Sequence, residues 1–179
     1  SVTGSSQFNS GSPIGIALDS HGSYFVSDFA NHVIYRIQVD NVSIIAGTHG
    51  SSGIPSTGKL NGPSGLAVDS NGNVFFVGES KGQGSDYGFI VKLNSSGIIQ
   101  WQNDLGGNQG SSLSDTTVDS NGNLYVTGWF KGSLSVQIGG VSESFTSSHS
   151  GGYKNSMLVG KLNNTGDWLW LEHTKNATQ

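Results

Sequence analysis

The chain has 179 residues, enough for one domain with a real core, but only 34% of them are hydrophobic and 11% charged. A net charge of -4 provides no electrostatic footprint for nucleic acid or an anionic membrane. With no cysteine, disulfides and thiolate metal sites are excluded, and no apolar run approaches the roughly 18 residues that span a bilayer.

The first predicted element is a short apolar strand, Ile14 to Leu18, followed by the turn Asp19-Ser20-His21-Gly22-Ser23 and the strand Tyr24-Phe25-Val26. The same arrangement returns as Gly65 to Val68, Asp69-Ser70-Asn71-Gly72-Asn73 and Val74-Phe75-Phe76-Val77. It returns again as Val118, Asp119-Ser120-Asn121-Gly122-Asn123 and Leu124-Tyr125-Val126, so the aspartates fall at a fixed period of 50. Asp and Asn side chains bond their own backbone in such turns, and Gly takes positive φ without steric cost. These two strands of each repeat are named a and b.

A second hairpin follows in every repeat. Strand c reads Val33 to Ile37, Phe89 to Leu93 and Met157 to Leu162; strand d reads Val42 to Ala46, Ile98 to Trp101 and Trp168 to Leu171. Four short antiparallel strands recurring as a unit predict an all-β chain of β-propeller blades. The approximate blades are 12–47, 62–104 and 112–172, within a single segment 1–179. A twelve-stranded sandwich fits less well, because sandwich strands do not repeat as matching quartets. Trp129 to Asn155 reads as a long loop between strands b and c.

The first repeat resembles the NHL repeat through Pro13-Ile14-Gly15-Ile16-Ala17-Leu18-Asp19, Tyr24 to Asp28 and Asn31-His32-Val33-Ile34, and Pro63 to Asp69 continues it. Later segments resemble the bacterial β-propeller repeats labelled SBBP. The carriers are Phe89 to Asn94, Trp101, Leu105-Gly106-Gly107, Asn123 to Gly128 and Leu162 to Trp170. The resemblance implies propellers in secreted or surface proteins, mostly used for binding or structure, with some NHL relatives acting as enzymes or ligand sensors.

A propeller closes with typically four to eight blades, and three are read here. Ser1 to Gly4 looks like the tail of a preceding strand d. The expectations are a fragment of a longer chain, a six-bladed ring completed by a second chain, or an open array that self-associates through blade edges.

The search for chemistry returns little. His21, His32, His49, His149 and His173 lack metal-site spacing, and the turn aspartates lack the closing Glu of a calcium loop. There is no nucleophile elbow, and Gly82 to Gly84 precedes no helix. Neither a metal nor a cofactor is expected. Asp28 and Glu79 end strands b and read as equivalent positions near the ligand face of a propeller. Trp129 and Phe130 open the long loop and form a candidate contact patch, whereas packing on neighbouring blades accounts for Trp101 and Trp170.

Asn41, Asn94, Asn163 and Asn176 begin four N-glycosylation sequons, against about three expected by chance from this composition. Three of them share the strand c–d turn, where turn chemistry alone also favours Asn. The leading expectation is a non-enzymatic extracellular or cell-surface module with a structural or binding role, N-glycosylated and assembled into oligomers or filaments. The alternatives are a fragment of a propeller enzyme and a ligand-sensing receptor domain, either with its site in the propeller tunnel.

Overall fold

The computed structural model describes residues 11–53, 55, 58–81, 86–147 and 155–174. His149, Asn176, Gly82 to Gly84 and Ser1 to Gly4 lie outside the described residues.

The first sheet holds β1 (Pro13–Leu18), β2 (Tyr24–Asp28), β3 (Val33–Gln38) and β4 (Asn41–Gly47), hydrogen-bonded in that order. The second repeats this order with β5 (Pro63–Val68), β6 (Val74–Lys81), β7 (Asp86–Leu93) and β8 (Ile99–Leu105). In the third, β9 (Ser111–Val118), β10 (Leu124–Phe130), β13 (Ser156–Leu162) and β14 (Trp168–His173) form the same antiparallel quartet. The chain is therefore all-β, with the three propeller-type units expected from its period.

The turns show why. Asp19, Asp69 and Asp119 each accept two backbone N–H bonds on Oδ1, from the residues two and four positions on, at 2.8–3.0 Å. Gly22, Gly72 and Gly122 then take φ of 82°, 77° and 77°. Asn94 and Asn163 close the second hairpins in the same way, through bonds from Ser96 and Ile98 and from Thr165 and Asp167.

One element departs from expectation. The loop after Trp129 contains a hairpin, β11 (Ser133–Ile138) and β12 (Val141–Thr146), which extends the third sheet to six strands. Its signal is present in the sequence: Leu134, Val136 and Ile138 alternate with polar residues, and Gly139-Gly140 forms a two-residue turn with φ of 58° and 82°. Leu134 and Val136 are buried against the core between the second and third blades. Asn108 fixes the hairpin to the preceding link, accepting on Oδ1 from Ser133 N–H at 2.8 Å and donating its own N–H to the Ser133 carbonyl at 3.0 Å.

The blades pack face to face. Phe76, Phe89, Val91 and Leu93 of blade two meet Phe25 and Ile34 of blade one. Phe75, Val77 and Ile90 turn the other way, toward Leu124, Val126 and Leu158 of blade three. Burial on both faces explains the unbroken apolar runs Val74 to Val77 and Phe89 to Val91. Blade three instead alternates, with Leu124, Val126 and Phe130 inward and Tyr125, Thr127 and Trp129 on the opposite face.

Candidate functional site

Strand ends define two rims. The a–b and c–d turns lie at one end of the blades. The b–c loops and the links from strand d to the next strand a lie at the other, and the sequence candidates sit there.

Asp28 is buried and fully engaged. Its Oδ1 accepts from the Ser12 and Asn31 N–H groups at 3.0 Å each, and its Oδ2 from the Asn31 amide at 2.8 Å. Burial pushes the carboxyl up, but the Asn31 and Ser12 bonds outweigh it and leave the group below its ordinary range. This carboxylate clamps the b–c turn to the start of strand a.

Strand register changes how the candidates relate. Asp28 pairs with Pro13 and Val33, while in blade two Gly78 pairs with Pro63 and Phe89. Asp28 therefore corresponds to Gly78, not to Glu79, and the two carboxylates are not equivalent. Glu79 corresponds to Trp129 and Phe29, one residue further and on the opposite face of the strand. Glu79 is half-buried and Phe29 exposed. Trp129 is half-buried, and its ring lies 3.9 Å from where a Cβ on Gly110 would stand. Phe130 is fully buried in the core, edge-on to His173 at 5.5 Å, so of the predicted contact pair only Trp129 reaches the surface.

Two residues on this rim carry no distinctive sequence signal. Ser80 follows Glu79 at the end of β6; its hydroxyl is buried and makes no hydrogen bond. His32 has φ of 59°, and its Nδ1 accepts the Gly62 N–H at 3.1 Å. That bond fixes a neutral ring as the tautomer with its proton on Nε2. Gly62 is also the residue whose carbonyl lies beside Gly78, two positions before Ser80. No cluster of three metal-ligating side chains occurs among the described residues.

At the opposite rim Asn41 is exposed in its turn, and Asn94 and Asn163 are occupied as turn acceptors. Asn163 also donates its amide to Asp167 at 2.9 Å.

The sheet order, the face-to-face packing and the strand-end rim together define a protein of the β-propeller type. No protein-family model matches the sequence, and no curated protein matches it. The NHL and SBBP resemblance thus has no family match behind it, while the propeller architecture has structural counterparts. One is virginiamycin B lyase from Staphylococcus aureus, solved as a catalytically inactive histidine-to-alanine variant with quinupristin. The two are 17% identical with a TM-score of 0.52, over 94% of this chain and 57% of the lyase. Another is a protein of unknown function from Bacteroides caccae, 11% identical with a TM-score of 0.50, over 94% of this chain and 62% of that one. The chain thus spans less than two thirds of each.

The likeness to the lyase corrects the expectation of a non-enzymatic structural module. The architecture shared over nearly the whole chain also occurs in an enzyme, so three blades of this fold do not mark a structural role.

Proposed function

We propose that the chain is the three-blade part of a propeller enzyme, with its reacting centre on the rim of b–c loops and d–a links. The buried, unpartnered hydroxyl of Ser80 carries this reading, with Glu79 next to it in the strand and on the opposite face. An orphaned buried hydroxyl costs about 1–3 kcal/mol, which a bound substrate would offset by accepting its hydrogen bond. Glu79 is the carboxylate nominated for proton transfer, and His32 is the imidazole presented on the adjoining blade. The fold likeness to a lyase supports the enzymatic reading at the level of architecture.

The test follows backbone amide signals during titration with quinupristin and a fragment library. Hits should shift Ser80 and Glu79 together, and Ser80→Ala should weaken them while the fold is retained. Turnover of any hit should fall at least tenfold in Glu79→Gln. Ligands that all avoid this rim would overturn the proposal.

A further inference from the structure

Each blade carries an aromatic residue on strand b, a cation on strand c and an aspartate in the a–b turn, side by side on one face. In blade one they are Phe25, Arg36 and Asp19, with the guanidinium 5.7 Å from the ring. In blade two Lys92 lies 5.2 Å from the Phe75 ring, with Asp69 as its nearby charge. In blade three Lys161 lies 4.8 Å from the Tyr125 ring and 3.6 Å from Asp119. Blades two and three add a tryptophan from strand d in the same register: Lys92 pairs with Trp101, and Lys161 with Trp170. Their rings meet Phe75 at 6.1 Å and Tyr125 at 6.4 Å.

In blade two this set is a socket with an occupant. The c–d turn of blade three sits in it. Lys92 Nζ and the Trp101 indole N–H both donate to the Asn164 carbonyl, at 3.1 and 3.0 Å, and Lys92 also bonds the Asn164 side-chain oxygen. Asn103 donates to the Gly166 carbonyl. Gly166, at φ of 90°, lies against the indole, where a Cβ would come within 2.9 Å of the ring. The receiving set is thus selective for a turn reading Asn-x-Gly, here Asn164-Thr165-Gly166.

Blade three displays the same set on its open face. There Trp170 is 38% exposed and Met157 and Val159 beside it are 61% and 44% exposed. This face repeats, one blade further on, the aromatic, cation and tryptophan of the interface built between blades two and three, with Glu172 in the place of Asn103.

We infer that Tyr125, Lys161 and Trp170 form a socket for the c–d hairpin of a further blade, whose turn carries Asn-x-Gly. The cation and the indole N–H match carbonyl oxygens, and the bare indole face matches a glycine. A second copy of this chain docking through blade one fits poorly. Its c–d turn is only Val39-Asp40 between paired Gln38 and Asn41, with no glycine for the indole. The inference is independent of the catalytic reading, because the face lies away from the Ser80 rim.

The experiment appends a second copy of residues 111–179 to the full chain and follows the Trp170 indole N–H by 15N NMR. Lys175 to Gln179 would serve as the link, matching the five residues Gly106 to Gly110 between blades two and three. The Trp170 indole should shift toward a hydrogen-bonded position, and its exchange with solvent should slow at least tenfold. Gly166→Val in the appended copy alone, or Trp170→Ala, should abolish the effect. An unchanged Trp170 signal, or an appended blade that stays unfolded beside an intact chain, would overturn the inference. So would a dimer of the unmodified chain in which Trp170 is already protected.

Discussion

The hydroxyl of Ser27 donates to the Ser64 carbonyl at 2.5 Å and accepts the Gly15 N–H at 2.8 Å, so one side chain joins strands a and b of blade one to strand a of blade two. Ser64 passes the connection on, donating to the Leu113 carbonyl of blade three at 2.9 Å. Ser27 is fully buried. Ser27→Ala leaves a donor and an acceptor unsatisfied and should cost about 1–3 kcal/mol. Urea unfolding of the two proteins should show a lower midpoint at unchanged slope.

Strand a of blade two lies unusually close to its neighbour. A Cβ on Gly65 would come 2.4 Å from the Asp115 Cα, and backbone cannot move aside as a flexible side chain can. Gly65→Ala should therefore destabilise by about 1–3 kcal/mol or more through overpacking. Gly106 is the contrasting case, with open space around its Cβ position. Gly106→Ala should stay within about 0.5 kcal/mol of the parent in the same unfolding experiment.

The contrast between these glycines shows what the sequence makes legible. The 50-residue spacing of Asp19, Asp69 and Asp119 reports local turn chemistry, which acts within five residues and so survives without any tertiary context. The blades follow from it. The hairpin from Ser133 to Thr146 was hidden because it interrupts the repeat, although its own alternation and Gly139-Gly140 turn are regular. The rim was the least legible part. Asp28 reads as a carboxylate near the ligand face, but its partners Ser12 and Asn31 are a matter of loop folding rather than of spacing. The misalignment of Asp28 with Glu79 was a one-residue slip, and in a strand that reverses the face. Ser80 gave no signal because an unpaired hydroxyl is a property of its surroundings.

Trp101 and Trp170 occupy the same register but different environments, which separates packing from residue type. Trp101→Ala removes the contact with Phe75, the bond to the Asn164 carbonyl and the platform under Gly166, and should cost about 3 kcal/mol. Trp170→Ala removes a half-exposed ring from an open face and should cost about 1 kcal/mol or less in the same chain. Thermal unfolding of the two variants side by side measures the difference. Equal losses would mean that Trp170 is already fully packed.

Acid should loosen the turns first. The amide of Asn123 bonds the Asp119 carboxylate, backbone N–H groups of Asn123 and Asn121 add to it, and Lys161 stands nearby, so its pKa falls to about 2. In Asp167 the Thr165 hydroxyl and the Asn163 amide act in the same direction. For Asp19, burial raises the pKa, but the bonds from Ser23 and His21 outweigh it. A carboxylate whose folded pKa lies below its unfolded value binds fewer protons in the folded state. Its contribution is complete above about pH 4 and is lost as the pH falls toward 2. Urea midpoints should thus be level from neutrality to about pH 5 and decline steeply below pH 4. Carboxyl carbon NMR should place Asp119 near 2, and Lys161→Met should raise it by removing the nearby positive charge. An Asp119 that titrates at its ordinary value in the folded chain would show that the Asn123 and Lys161 contacts do not hold in solution.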